Sequence, residues 1–279
     1  MRTVALAAAV LCATAAAQAQ KFSSSVEVVR VDVLVTDRGV PVRGLRAADF
    51  EVRDNGVVQR ADLLGFEQLP VNVVMTLDLS ASVDGSRLAS LRGAGRALLG
   101  GLRANEQAAL ITFSQLVARR TGLTRDRGAV LAALDSTQPQ GETSLIDAAY
   151  TAMLMAEAEA SRALVVVFSD GVDVSSWLTP QSVVDAAKRL DAVVYGVSTR
   201  GTRPRFLEDL TEQTGGRLLD VESSNLSATF VSVLNEFRDR YVLSYSPHGV
   251  KPGGWHALEV RVKGRRVTVK ARPGYLAGR

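Results

Sequence analysis

Four short runs of nearly uninterrupted apolar residues, at 71–77, 108–113, 163–168 and 192–197, constrain this chain more than any other feature. Runs this short that stay apolar at successive positions suit strands buried on both faces, the situation inside a parallel sheet. Residues 87–102, 144–160, 180–190, 205–214 and 226–237 carry apolar residues at helical spacing. Strands alternating with such helices imply a mainly parallel sheet covered on both sides. The expected class for residues 70–238 is therefore α/β.

The flanks read differently. Residues 26–35 alternate apolar and polar side chains over much of their length, Asp37-Arg38-Gly39 supplies a turn, and Asn55-Gly56 after Phe50-Glu51-Val52-Arg53 is a hairpin signal. Residues 241–245, 255–262 and 267–271 make three more short strands separated by Pro and Gly, and neither flank carries a helical pattern. An isolated hairpin is marginal in water, so segments 20–69 and 239–279 are expected to complete one small β-sandwich with the α/β domain inserted between them. Trp255 is expected in its core, and Lys263, Arg265 and Arg266 at the solvated tip of a hairpin around Gly264.

Charge and composition narrow the function classes. The formal net charge is +4, from 33 basic and 29 acidic side chains scattered along the chain, and aromatic residues make up 5%. Neither a dense basic stripe nor a stacking platform is present, so nucleic acid is not an expected partner. At the start, Arg2, the apolar stretch 4–16 and Ala17-Gln18-Ala19 have the order of a secretory signal peptide, placed at residues 1–19. The chain is expected to be exported, periplasmic or secreted, without a transmembrane segment once processed. A lipid anchor through Cys12 is disfavoured because bulky Leu11 precedes it. Cys12 is the one cysteine, so the processed chain has neither a disulfide nor a thiolate metal site.

Ligands of open α/β sheets gather beyond the carboxyl ends of the strands, and there this chain is rich in oxygen donors. Asp78-Leu79-Ser80-Ala81-Ser82 follows the first apolar run, Gly141-Glu142-Thr143-Ser144 precedes a helix, and Ser169-Asp170-Gly171 follows the third run. Carboxylates and hydroxyls select a hard cation such as Mg²⁺, with Mn²⁺ or Ca²⁺ as alternatives, while zinc is disfavoured where thiols are absent and histidine occurs only at His248 and His256. Taken singly, these residues read as turn formers and helix caps.

Taken together, Asp78, Ser80, Ser82, Thr143 and Asp170 resemble the metal-ion-dependent adhesion site (MIDAS) of von Willebrand factor type A domains. The resemblance spans roughly residues 71–238. It implies a Rossmann-like, doubly wound fold, with the first four residues approaching the ion and Asp170 acting directly or through water. It further implies one coordination position left for an Asp or Glu carboxylate of a protein partner. Gly39-Val40-Pro41-Val42, Asp49-Phe50-Glu51-Val52 and Arg272-Pro273-Gly274-Tyr275 are also similar to segments of bacterial exported proteins that carry this domain.

The expected function is thus a cation-dependent, adhesion-type protein-binding module. The alternative is a scaffold component of an envelope or secretion assembly whose metal only stabilises the loops. No enzyme is expected: Gly-x-Ser-x-Gly, Gly-x-x-x-x-Gly-Lys and a Gly-x-Gly-x-x-Gly loop after the first strand are missing, and both histidines lie in the C-terminal flank. Glu142, Asp84 and Asp173 are expected to be surface charges. Trp177 borders the same edge, either as an exposed contact or packed beneath its loop.

Overall fold

The computed structural model describes residues 28–64, 69–83, 85–157, 161–199, 201 and 203–278. The expected signal peptide, Cys12 and Asp84 lie outside the described residues. The N-terminal flank forms β1 (Val29–Asp37), β2 (Val40–Pro41), β3 (Phe50–Asp54), β4 (Val57–Gln59) and β5 (Asp62–Leu64). A 3₁₀ turn at Ala47–Asp49 corrects the helix-free expectation; it forms because Asp49 Oδ2 accepts from the Arg46 amide at 2.7 Å.

The middle of the chain supplies β6 (Val71–Asp78), α1 (Gly85–Gly100), β7 (Gln107–Phe113), β8 (Val117–Thr124), α2 (Arg127–Asp135) and α3 (Leu145–Ala156). It continues with β9 (Arg162–Phe168), α4 (Pro180–Ala187), β10 (Val193–Ser198), α5 (Arg205–Gln213), β11 (Leu218–Asp220) and α6 (Leu226–Arg238). The C-terminal flank adds β12 (Tyr241–Tyr245), β13 (Gly254–Val262), β14 (Thr268–Lys270) and β15 (Gly274–Ala277).

The central sheet runs β11-β10-β9-β6-β7-β8, parallel except for β8 at one edge. Its four inner strands, β10, β9, β6 and β7, are buried on both faces because each alternates between two cores. Val73, Met75 and Leu77 of β6 point with Leu164, Val166 and Phe168 of β9 into a core closed by α1, α2 and α6. Val74, Val165 and Val167 point the other way, against α3, α4 and α5. From β6 the chain moves outward to β7 on one side, then returns through α3 to place β9 on the other. Successive helices therefore leave in opposite directions at β6 and β9, which opens a crevice beyond their carboxyl ends.

The flanks build two small sheets, β14-β1-β12-β5 with β2 on β1, and β15-β13-β3-β4. Strands from opposite ends of the chain pair directly, Val31 with Leu243 and Val52 with Val260 among them. Their inner faces share one apolar core around Val31, Val33, Phe50, Tyr241 and Leu243. Trp255 is not in it: it is 41% exposed, with Lys188 Nζ 5.5 Å from its ring. Alternation along β13 turns His256 and Leu258 inward and so turns Trp255 out.

This β part sits at the amino ends of the parallel strands. Arg162, the first residue of β9, donates to Asp32 of β1, and the Leu276 amide donates to Lys188 O at 2.8 Å. The carboxyl ends of the sheet are left clear.

Candidate metal centre

The end of β6 is held in place before any side chain is considered. The Leu79 amide donates to Phe113 O at 2.7 Å, the Ala81 amide to Gly141 O at 3.0 Å, and the Gln140 amide to Leu79 O at 2.8 Å. The Asp78–Ser82 loop is thereby clamped to both β7 and the segment that carries Thr143. Gly141 has φ +73°, a left-handed turn conformation suited to glycine, and a β-carbon there would overlap the Gln115 side chain.

Asp78 is fully buried. Its Oδ1 accepts from the Ser80 amide at 2.8 Å, and its Oδ2 accepts from Ser169 Oγ at 2.7 Å. Ser80 Oγ and Ser82 Oγ are 3.1 Å apart, and Ser82 Oγ donates to Asp170 Oδ1 at 2.8 Å. Four of the five expected residues thus form one chain of polar contacts across two adjacent strands. The fifth, Thr143, faces the same small volume. Its Oγ1 and Asp78 Oδ2 lie 3.3 and 3.9 Å from where a β-carbon on Gly171 would stand, so glycine at 171 keeps that approach open. Ser80, Thr143 and Asp170 are buried while Ser82 is exposed at the mouth.

Burial pushes the Asp78 carboxyl above the ordinary carboxylate range. Bonds from Ser169 and Ser80 oppose that shift, and the negative charge of Asp170 adds to it. A carboxylate desolvated in this way gains from a nearby cation. The donors are all oxygen: two carboxylates and three hydroxyls. Among the described residues no group of three or more His, Cys, Asp or Glu side chains gathers to hold a metal, so hydroxyls have to complete any such shell. This set fits a hard divalent ion and is poor for a soft one.

Two residues that shape the site were not among the five expected ligands. Ser169 orients Asp78. Arg87, on α1, donates to Asp170 Oδ2 at 2.8 Å and to the backbone oxygen of Ser82. The signal for Arg87 is its place in the first helical turn, where a cation opposes the helix dipole. Asp173 also differs from expectation: it accepts from the Ile146 amide at 3.2 Å and from Ser176 Oγ at 2.5 Å, and so caps α3 from another loop. Ser144, the residue at the cap position itself, makes no such bond. Glu142 is exposed, as expected.

The Trp177 alternatives resolve to exposure. Trp177 is 95% exposed, yet its backbone is fixed, because the Trp177 and Leu178 amides both donate to the Asp147 carboxylate at 2.9 Å. The Val174 and Ser175 amides donate to Thr143 O at 3.0 and 3.2 Å, which moors the same loop to the candidate centre.

A family model of the von Willebrand factor type A domain matches residues 73–173, the stretch from within β6 to just past Asp170. Over that stretch the chain matches the von Willebrand factor type A domain. Domains of this family are protein-interaction modules. Among solved structures, a von Willebrand factor type A protein from Catenulispora acidiphila aligns over 88% of this chain and 74% of its own, at 12% identity and a TM-score of 0.56. That alignment extends beyond the type A domain into the flanking strands. Proximal thread matrix protein 1 of the mussel byssus aligns over 65% of this chain at 14% identity and a TM-score of 0.56, in a structure with zinc occupying its MIDAS motif. This chain spans about half (49%) of the length of that mussel protein. At such identities the likeness concerns the fold. None of the curated proteins is recognisably similar in sequence. Among the described residues no helix is long and apolar enough to cross a membrane.

Proposed function

We propose that this chain is an exported, non-enzymatic protein-binding module. Asp78, Ser80, Ser82, Thr143 and Asp170 hold one divalent cation, Mg²⁺ by preference and Mn²⁺ or Ca²⁺ in its place, and the cation takes an Asp or Glu carboxylate of a partner protein. The observation that carries this reading is the convergence of those oxygens at the crevice beyond β6 and β9, on loops clamped to one another by backbone bonds. The zinc-occupied MIDAS of the mussel protein supports a divalent ion at the corresponding edge of this fold.

The chemistry the ion supplies is a directional, partly desolvated ionic bond to an incoming carboxylate. The protein's own residues do the rest. Asp78 provides the buried negative charge, Ser169 and the Ser80 amide fix its orientation, and the hydroxyls of Ser80, Ser82 and Thr143 replace water without adding charge. Around the mouth, Trp177, Val172 and Val174 stand exposed on the moored loop, with Leu116 on the neighbouring β7–β8 turn. An exposed aromatic on a fixed backbone is the kind of residue that anchors an interface.

The test has two stages. Isothermal titration with Mg²⁺ and Mn²⁺ should give saturable binding for the wild type and none for Asp78→Ala. Capture of partners from the producing organism's envelope fraction, with and without chelator, should then yield a protein retained only with metal and only by the wild type. A partner held equally by both proteins in chelator overturns the metal bridge.

A further inference from the structure

The ion pair between Arg87 and Asp170 bears on how strongly the centre attracts a partner. Asp170 has both carboxylate oxygens engaged within the chain, Oδ1 by Ser82 Oγ at 2.8 Å and Oδ2 by Arg87 Nη1 at 2.8 Å. Its side chain is fully buried and that of Arg87 is 19% exposed, so water screens the pair only weakly. Arg87 also donates to Ser82 O, which ties the guanidinium to the loop bearing two of the proposed ligands. Its position gains nothing from α1, because a cation in a first helical turn faces the positive end of the dipole. Asp170 is the compensation.

We propose that Arg87 is a built-in counter-ion that weakens the hold of the centre on its own metal and reserves the ion's remaining charge for the partner. The inference rests on the metal-binding reading above. Without Arg87, a divalent ion with Asp78 and Asp170 would be electrically balanced, two positive charges against two negative. With Arg87 within hydrogen-bonding distance of Asp170, one positive charge is left over. A partner's carboxylate supplies the missing negative charge. The assembled complex is therefore neutral where the unpartnered metal site is not, and an incoming acidic side chain gains more than it would at a self-balanced ion. Arg87 acts as a residue that sets affinity, through charge, and touches neither the ion nor the partner.

The experiment titrates Mn²⁺ alone into wild type, Arg87→Gln and Arg87→Lys by calorimetry. It then adds acetate, a minimal carboxylate probe, to each Mn²⁺-loaded protein and follows broadening of the acetate methyl resonance. Arg87→Gln should bind Mn²⁺ tighter, on the order of tenfold, because it removes one positive charge a few ångströms from the centre. Loaded with Mn²⁺, it should take acetate several-fold more weakly. Arg87→Lys keeps the charge and should stay near wild type in both measurements. Circular dichroism and a thermal melt verify folding, and Arg87→Ala replaces Arg87→Gln if that variant is unfolded. Equal Mn²⁺ affinity in wild type and the neutral variant overturns the role of Arg87 and leaves the metal site standing. Arg87→Lys behaving like Arg87→Gln also overturns it, since geometry instead of charge would then decide. No Mn²⁺ binding by any of them sinks the site and this inference together.

Discussion

Ser169 Oγ donates to Asp78 Oδ2 at 2.7 Å, joining the carboxyl ends of β6 and β9 through residues 91 apart in sequence. The bond orients a carboxylate that has no exposure to water and no cation of the chain in contact with it among its described hydrogen bonds and ion pairs. Such a group is costly to bury unless something positive arrives.

The first prediction concerns Asp78 itself. Asp78→Asn keeps an acceptor for the Ser80 amide, turns an N–H toward Ser169 Oγ, which then accepts, and removes the charge, so Mn²⁺ affinity should fall by about a hundredfold or more. In chelator its melting temperature should equal or exceed that of the wild type, because an uncompensated buried charge has gone. Saturating metal should then raise the wild-type melting temperature and leave that of the variant unmoved. Thermal melts with and without Mn²⁺ read both effects, and a variant that loses stability in chelator would contradict this account of Asp78.

Much of this arrangement was legible beforehand, for identifiable reasons. The four apolar runs became β6, β7, β9 and β10 because strands buried on both faces have little choice of residue, and the oxygen donors stood immediately after two of them. Edge strand β8 was not legible, since none of its residues is fully buried and Arg119, Arg120 and Gly122 are exposed. Helix α2 is short and depends on Asp126, whose carboxylate accepts from the Ala129 amide at 3.0 Å. Contacts that close only in three dimensions left little local trace: Asp173 capping α3 left none, and Arg87 reaching Asp170 left only a cation in the first turn of α1. Trp255 was misplaced because hydrophobicity alone does not say which face of a strand a residue occupies, and the register of β13 against β3 decides it.

Alkaline stability supplies a second prediction. Tyr195 is pushed up to about 12 from 10.0, chiefly by burial and partly by Glu236, while Arg240 opposes the shift. The folded state therefore keeps this proton after the unfolded chain has released it. Its stabilising contribution is complete below the ordinary tyrosine value and is lost as pH rises from there through about 12. Two units correspond to about 2.7 kcal/mol at most. Burial shifts Tyr245 in the same direction, which adds to the effect. Urea midpoints measured from about pH 9 to about pH 11.5 should fall steadily, with the 295 nm absorbance of these tyrosines appearing only as the protein unfolds. A flat profile would show that Tyr195 ionises freely in the native state.

Arg240 is fully buried and binds three elements at once. Its guanidinium donates to Tyr195 Oη at 2.8 Å and to Gly215 O, and it approaches Lys270 O of β14 at 3.5 Å. Arg240→Met fills similar space but leaves those acceptors unpaired, with a loss of about 3 kcal/mol expected. Because the residue joins the central sheet to the β part, equilibrium denaturation followed by both near-ultraviolet and far-ultraviolet signals should shift to lower urea. Mn²⁺ affinity, set at the opposite end of the strands, should be unchanged in the folded variant. Metal binding lost along with stability would mean that the two ends of the sheet are coupled.

The remaining prediction separates gripping a partner from holding a metal. Trp177 is almost wholly exposed, yet Asp147 pins its backbone and Thr143 O anchors the loop two residues earlier. Little conformational entropy is left to lose at the backbone when a partner covers the ring, which is the condition under which an aromatic contributes strongly to an interface. Trp177→Ala should leave the melting temperature and Mn²⁺ affinity within error of wild type, since the side chain supports no packing and touches no proposed ligand. It should weaken metal-dependent capture of a partner by at least about 2 kcal/mol, some thirtyfold in dissociation constant. Asp147→Asn should weaken capture less, because it loosens the loop without removing the ring. Capture unaffected by Trp177→Ala but abolished by Asp78→Ala would confine recognition to the carboxylate at the ion and remove the apolar rim from the interface.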